Sequence, residues 1–394
     1  MKSAVAISYD LDDSKETAVH LADSIREQLE LRKNSVGFLF CDADTDGAEV
    51  TRELKALLGM EVAGMTTLAV LDSDGRHEAA VVLTVFTADD CAFVASASEP
   101  LVGGDHESKI ADAYRATVPD SGYGPKPGVI FALCPSGMPF SGDVYPDALS
   151  RAVEDVPVMG GVASDDYDYK RARVFLSGSE YRDSMIAVSV WGNVKPIFAI
   201  RHVTSRFAER IRRVVMAEGN VVYKVGDETF VKYLEGFGLK TDVDDPLLAF
   251  NSYPMMLTRE GGDETPLMRH IASLNLDDGS GEFLGDVPTG TMANICLVNK
   301  EDIVSACRDS MNALLEEAGK GDYEYSAIFC ISCCGRAMIL GADADAEGDI
   351  LSEIKPDNVT LAGAYCLGEI CPARFRDGQV SNRFHNCSIT FCML

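Results

Sequence analysis

Arg336 and Glu369 are the charges whose types and settings best suit recognition of a small molecule. Arg336 follows Cys333-Cys334-Gly335 at the carboxyl end of a predicted strand, Ala327-Ile-Phe-Cys-Ile331. Ligand crevices in α/β sheets open at such ends. A guanidinium clamps a carboxylate through two parallel hydrogen bonds. Glu369 ends the strand after Gly363 and offers an anion to an ammonium group. His385 and Asn386 precede the last predicted strand and add directional polar contacts. An Arg and a Glu in one pocket match the two charges of an amino-acid zwitterion. The same residues also admit an architectural reading, in which Arg336 and Glu369 pair with each other and tie two strands, and His385 is a satisfied core histidine.

Other constellations carry weaker chemistry. Gly160-Gly161, followed by Ser164 and Asp165, either brings backbone N–H groups near a ligand or makes a tight turn. Asp42, Asp44, Asp46, Gly47 and Glu53 match positions 1, 3, 5, 6 and 12 of a calcium loop. A strand precedes them where a calcium loop has a helix, and acidic residues suit a helix N-terminus anyway, so no tight calcium site is expected. Asp343, Asp345 and Glu347-Gly348 imitate that spacing without the final Glu. Cys330-x-x-Cys333 has zinc or redox spacing, but strand residues three apart face opposite ways, and buried reduced thiols are the expectation. No G-x-S-x-G elbow or P-loop occurs. Arg259-Glu-Gly-Gly-Asp-Glu-Thr265 holds the letters of a diguanylate cyclase core, but Thr265 ends the match inside a Pro-punctuated loop.

The elements that must position these residues recur. Ala4–Ser8 reads as a strand, and Ala18, Leu21, Ala22, Ile25 and Leu29 follow at helical spacing. Val36–Phe40, Val129–Leu133 and Ala327–Ile331 each open a strand, helix, strand sequence that arrives at Gly64, Gly160 and Gly363. A strand–helix–strand–strand unit used three times would give this pattern. Asp72-Ser-Asp-Gly75 and the stretch around Gly178 read as hairpin turns. Asp242 to Gly290, with four prolines, reads as irregular and strand-poor, and a boundary is expected near Gly226-Asp227-Glu228. The chain of 394 residues has 62 acidic and 35 basic residues and a formal charge of −27. That field disfavours nucleic acid and anionic lipid as partners. No apolar run reaches membrane-spanning length, and the N-terminus does not read as a secretory signal. A cytoplasmic location with reduced thiols is expected for the twelve cysteines.

Five stretches together resemble one family. Val158-Met-Gly-Gly-Val-Ala-Ser-Asp-Asp166 is similar to the hallmark of the FIST N-terminal domain. Leu284-Gly-Asp-Val-Pro-Thr-Gly290, Phe329-Cys-Ile-Ser-Cys-Cys-Gly-Arg336, Leu361-Ala-Gly-Ala-Tyr-Cys-Leu-Gly-Glu369 and Phe384-His-Asn386 resemble the FIST C-terminal domain, in family order. The first copy, Gly64-Met-Thr-Thr-Leu68, lacks the second Gly and the Glu that the family carries.

The resemblance implies a FIST N-terminal-like domain over 1–226 and a FIST C-terminal-like domain over 227–394. It also implies a signal-input role, with small ligands such as amino acids. The fold class expected is α/β or α+β, with mixed sheets and packing helices. The functional expectation is a non-catalytic, cofactor-free sensory protein. It would bind an amino-acid-like ligand through Arg336, Glu369, Asn386, His385, Gly335, Gly160, Gly161, Ser164 and Asp165, and signal to a separate output protein. A thiol enzyme using Cys333 or Cys334 with His385, and a protein-interaction adaptor, are the alternatives.

Overall fold

A computed structural model describes residues 1–120, 122–167, 170–202, 210–258, 266–374 and 380–394. The segment Arg259–Thr265 lies outside the described residues.

Three units follow one another. The first comprises β1 (Lys2–Ser8), α1 (Ser14–Gln28), β2 (Asn34–Cys41), α2 (Gly47–Leu58), β3 (Glu61–Thr66), the hairpin β4 (Val70–Asp72) and β5 (Gly75–His77), and β6 (Val81–Ala88). The second repeats this plan with β7 (Cys91–Ala97), α3 (His106–Arg115), β8 (Val129–Cys134), α4 (Val144–Ala152), β9 (Val158–Val162), the hairpin β10 (Val174–Leu176) and β11 (Ser179–Tyr181), and β12 (Ile186–Gly192).

The third unit opens with β13 (Ile197–His202). It is then interrupted by an insert of β14 (Arg212–Glu218), β15 (Val221–Val225), β16 (Glu228–Thr229), α5 (Phe230–Glu235), α6 (Pro246–Ala249), β17 (Met255–Thr258), β18 (Leu267–Arg269), β19 (Ile271–Asn275), β20 (Ser280–Phe283) and β21 (Met292–Ile295). It resumes with α7 (Lys300–Ala318), β22 (Ala327–Cys333), α8 (Cys334–Leu340), α9 (Ala346–Ile354), β23 (Thr360–Cys366), the hairpin β24 (Gly368–Arg374) and β25 (Val380–His385), and β26 (Ser388–Met393).

Among the described residues the three units make three six-stranded sheets, ordered β1-β6-β2-β3-β10-β11, β7-β12-β8-β9-β24-β25 and β13-β26-β22-β23-β4-β5. Each sheet is completed by the hairpin of another unit. The hairpin of unit two joins sheet one, that of unit three joins sheet two, and that of unit one joins sheet three. The exchange closes a ring. The repeat is therefore longer than the sequence pattern suggests, because a leading strand and helix belong to each unit.

Burial on both faces explains why the central strands read as continuous apolar runs rather than alternating ones. In β22 the residues Ala327, Phe329 and Ile331 face an inner core shared by all three sheets, while Ile328 and Cys330 pack under helices. Ile186, Val188, Val129 and Phe131 are fully buried as well. The pairs β2–β3, β8–β9 and β22–β23 are parallel and need helical crossovers, which α2, α4 and the α8–α9 pair supply. Gly64, Gly160 and Gly363 stand opposite Leu39, Ala132 and Cys330. A Cβ at these glycines would lie 2.5, 1.9 and 1.9 Å from the facing carbonyl oxygens. Only glycine allows that approach.

One residue before each glycine's partner stands a phenylalanine: Phe38, Phe131 and Phe329. Their ring centroids lie 4.9 Å (Phe38–Phe131), 5.4 Å (Phe38–Phe329) and 5.2 Å (Phe131–Phe329) apart. Each pair touches, so the three rings mark a pseudo-threefold axis.

Helices cover the outer faces. α1 and α2 pack on sheet one, α3 and α4 on sheet two, and α7, α8 and α9 on sheet three. The insert forms its own antiparallel sheet, ordered β18-β17-β21-β14-β15-β20-β19, with Phe230, Tyr233 and Leu234 of α5 in its core. This corrects the expectation of a strand-poor region between Asp242 and Gly290. Its strands are three to five residues long, too short for a clear alternating pattern. Gly226-Asp227-Glu228 turns β15 into β16 inside the insert. Among the described residues no helix is long and apolar enough to cross a membrane.

The axis makes a direct prediction. Phe131→Ala should cost about 3–5 kcal/mol in urea unfolding. Combining it with Phe329→Ala should give a loss that departs from the sum of the single losses, because the rings share a cavity. A cost below about 1 kcal/mol would remove the triad's structural role.

Candidate functional site

A cavity of about 60 Å³ opens beyond the carboxyl end of β22, where ring and insert meet. Cys333, Cys334 and Gly335 form one wall, Asn251 and His270 of the insert a second, and Tyr167 of unit two a third. Strand β22 is still extended at Cys333 (φ −72°, ψ 132°), and α8 begins at Cys334. Gly335 lets the insert seat, since a Cβ there would fall 2.5 Å from Asn251 Oδ1. Asn251 Nδ2 donates to the Gly335 carbonyl at 2.9 Å, and the Tyr167 hydroxyl donates to the Cys334 carbonyl at 3.3 Å.

Arg336 turns away from this space. Its side chain is fully buried and donates through Nε and Nη2 to Glu347 Oε1, at 3.1 and 2.7 Å. Nη2 also reaches the Ile303 carbonyl at 3.1 Å, and Nη1 points to the Cys387 carbonyl at 3.5 Å. Ser332 Oγ donates to the second Glu347 oxygen at 3.1 Å. Burial works against the Arg336 charge, yet Glu347 outweighs it and lifts the pKa above the ordinary guanidinium value. The carboxylate partner is thus Glu347, not Glu369. A sequence signal existed: Glu347, Ile350 and Leu351 share one helical face, which puts the acid inside.

Glu369 sits opposite His385 in the β24–β25 ladder. Its Oε2 accepts from Ser388 Oγ at 2.6 Å and from the Ser388 backbone N–H at 3.2 Å, while Oε1 has no partner. Burial, and then the neighbouring Cys333, push its pKa well above the carboxylate range, so the neutral acid is favoured. His385 Nε2 lies 3.2 Å from the Cys371 carbonyl. A carbonyl only accepts, so Nε2 carries the proton and Nδ1, which is unpartnered, is an acceptor. Asn386 Oδ1 accepts from the His270 backbone N–H at 3.3 Å, and its Nδ2 is unpartnered. His270 Nε2, on the cavity wall, is unpartnered too. Burial lowers the His270 pKa to about 4 and that of His202, whose ring lies 5.1 Å from His385, to about 3. Buried unpaired polar atoms are uncommon in folded proteins, and one of them, His270 Nε2, is on the cavity wall, with Asn386 bonded to the backbone of that same residue.

The remaining predicted residues hold the ring together. Gly160 and Gly161 lie within β9, between β8 and β24, rather than in a turn. Ser164 Oγ donates to the Tyr365 carbonyl at 2.9 Å and accepts from the Leu68 N–H at 3.1 Å, joining all three units. Asp165 Oδ2 accepts from the backbones of Lys170 and Arg171, at 3.0 and 2.9 Å. In the calcium-like stretch, Asp42 Oδ1 accepts from the Asp44 and Thr45 N–H groups, and Asp46 caps α2 through Glu49 N–H. All twelve cysteines are free thiols and buried.

Sequence reasoning did not find Asn251, His270, Tyr167 or Arg269. Buried Arg269 chelates Asp143 at 3.0 and 2.8 Å and donates to the Asp286 and Phe384 carbonyls, both at 2.9 Å. It locks the insert to unit two and to β25. Asp143 lies in a Pro/Gly loop and Arg269 in the stretch read as irregular, so local pattern gave no link between them.

Two predictions follow from these partners. In a double-mutant cycle Arg336 should couple more strongly to Glu347 than to Glu369, and Glu347→Gln alone should cost about 3–5 kcal/mol. Stronger coupling to Glu369 would contradict the geometry. Because the folded pKa of Glu369 exceeds the unfolded value near 4.5, the folded state keeps a proton that the unfolded chain has released. Stability should therefore fall as pH rises above about 4.5 toward the folded pKa, by up to about 1.4 kcal/mol per pH unit. Glu369→Gln should abolish that component in urea titrations between about pH 5 and 8. Parallel curves for wild type and variant would refute it.

Family models match the chain over residues 35–228, as the FIST N domain, and over residues 228–372, as the FIST C domain. No curated protein matches the sequence. FIST domains are sensory domains associated with small-ligand binding. The two matches adjoin and span most of the ring and the whole insert, and the chain belongs to the FIST family.

Proposed function

We propose that the chain is a non-catalytic receptor for a small polar metabolite, which binds in the cavity walled by Gly335, Asn251, His270 and Tyr167. The observation that carries this reading is the unpartnered buried Nε2 of His270 on the cavity wall, with the unpartnered Nδ2 of Asn386, whose Oδ1 accepts from the His270 N–H, next to it. A cavity needs about 10–15 Å³ for each water, so about 60 Å³ suits a few waters or one compact solute.

The electrostatics favour a ligand without net charge. Arg336 is matched by Glu347 and Arg269 by Asp143. His270 is neutral at physiological pH, and Glu369 is held toward its neutral form. An uncompensated ion would pay a desolvation cost here, whereas a zwitterionic amino acid or its amide brings balanced charge. Exposed Asp245 at the mouth offers a carboxylate to an ammonium group, and His270 Nε2 a polar contact further in. Free thiols support a cytoplasmic setting, and the signal passes to a separate output protein. The thiol-enzyme alternative needs a thiol within reach of an imidazole. His385 instead bonds the Cys371 carbonyl.

Thermal-shift screening against amino acids, their amides and related small metabolites tests the proposal. A cognate ligand at a hundred times its Kd should stabilise the protein by about 2.7 kcal/mol. His270→Phe should fold and lose the shift. A panel without any shift, or a shift that survives His270→Phe, would overturn it.

A further inference from the structure

We propose that Cys333 and Cys334 form a vicinal dithiol receptor for a compact thiophilic ligand of the trivalent arsenic oxyacid type. Neighbouring residues of a strand point to opposite faces. These two do not, because the chain passes from strand to helix between them and both line the same cavity. Their thiols are near enough to influence each other.

Packing separates this pair from most of the other cysteines. Cys41, Cys134, Cys296, Cys307, Cys330, Cys366, Cys371, Cys387 and Cys392 belong to apolar clusters and serve as small hydrophobes. Cys333 and Cys334 are buried but belong to none of the clusters. Their walls are Asn251, His270 and Tyr167, and their open side is the cavity.

Among the described residues no group of three metal-ligating side chains comes together. The chemistry is therefore that of two thiols. Two adjacent cysteines on one small cavity suit the acute S–As–S angle of pyramidal arsenic, and not the linear S–Cu–S of a monovalent copper site. In the reaction, arsenous acid, As(OH)₃, meets two thiols. Two As–S bonds form and two As–O bonds break. Each departing hydroxide takes a thiol proton and leaves as water, giving (RS)₂As–OH with no change of oxidation state. Chelation by two linked donors exceeds single-thiol binding by about 10²–10⁴. This inference uses only the cavity walls and stands apart from the metabolite reading.

The test uses the full-length, fully reduced protein and sodium arsenite under anaerobic conditions. Native mass spectrometry should find one arsenic per chain. Cys333→Ser and Cys334→Ser should each weaken retention by about a hundredfold or more. Cys366→Ser and Cys387→Ser should retain it. Peptide mapping of the wild type needs no variant: arsenite should withdraw Cys333 and Cys334 together from alkylation by iodoacetamide. The proposal is overturned if wild type retains no arsenic, if Cys334→Ser retains it undiminished, or if both thiols resist iodoacetamide without arsenite.

Discussion

Three phenylalanine rings in mutual contact set the geometry on which everything else depends. Phe38, Phe131 and Phe329 hold three sheets face to face along one axis. Beside them Gly64, Gly160 and Gly363 let each central parallel pair close without a Cβ in the way. The exchanged hairpins follow from this arrangement. A sheet packed on the axis ends beside the next unit, and a hairpin crossing that seam covers an edge that would otherwise stay unpaired. The sequence halves matched by the two family domains are therefore interleaved, because sheets two and three each draw strands from both.

Symmetry also explains where the site lies. All three units share one plan of strands and helices, but only the third carries an insert. The insert brings Asn251 and His270 over the end of β22 and turns an open strand end into a walled cavity. Two buried guanidinium–carboxylate pairs make that seat rigid. Arg269–Asp143 fixes insert to ring, and Arg336–Glu347 fixes α8 to α9. Removing one partner from such a pair is far more damaging than the pair is stabilising, which suits these residues to framing a site rather than binding at it.

Much of the ring was legible in the sequence. The apolar runs at 36–40, 129–133 and 327–331, the turns at Asp72–Gly75 and near Gly178, and the three glycines are local signals, and each appears where the pattern places it. What escaped depends on distant pairing. Arg336 and Glu369 are natural candidates because one follows a predicted strand and the other ends one. Their partners are settled by tertiary contacts: Glu347 for one and Ser388 for the other. The insert was misread because its strands are short and broken by prolines, and the cavity was missed because the insert supplies His270 and Asn251.

The central claim is that a small metabolite occupies the cavity between ring and insert. Crystallography of the protein with whichever metabolite raises its melting temperature most tests this directly. The account predicts electron density for the ligand bounded by Gly335, Asn251, Tyr167 and His270, within hydrogen-bond distance of His270 Nε2. Density for the ligand at another place, with only water against His270, would contradict it.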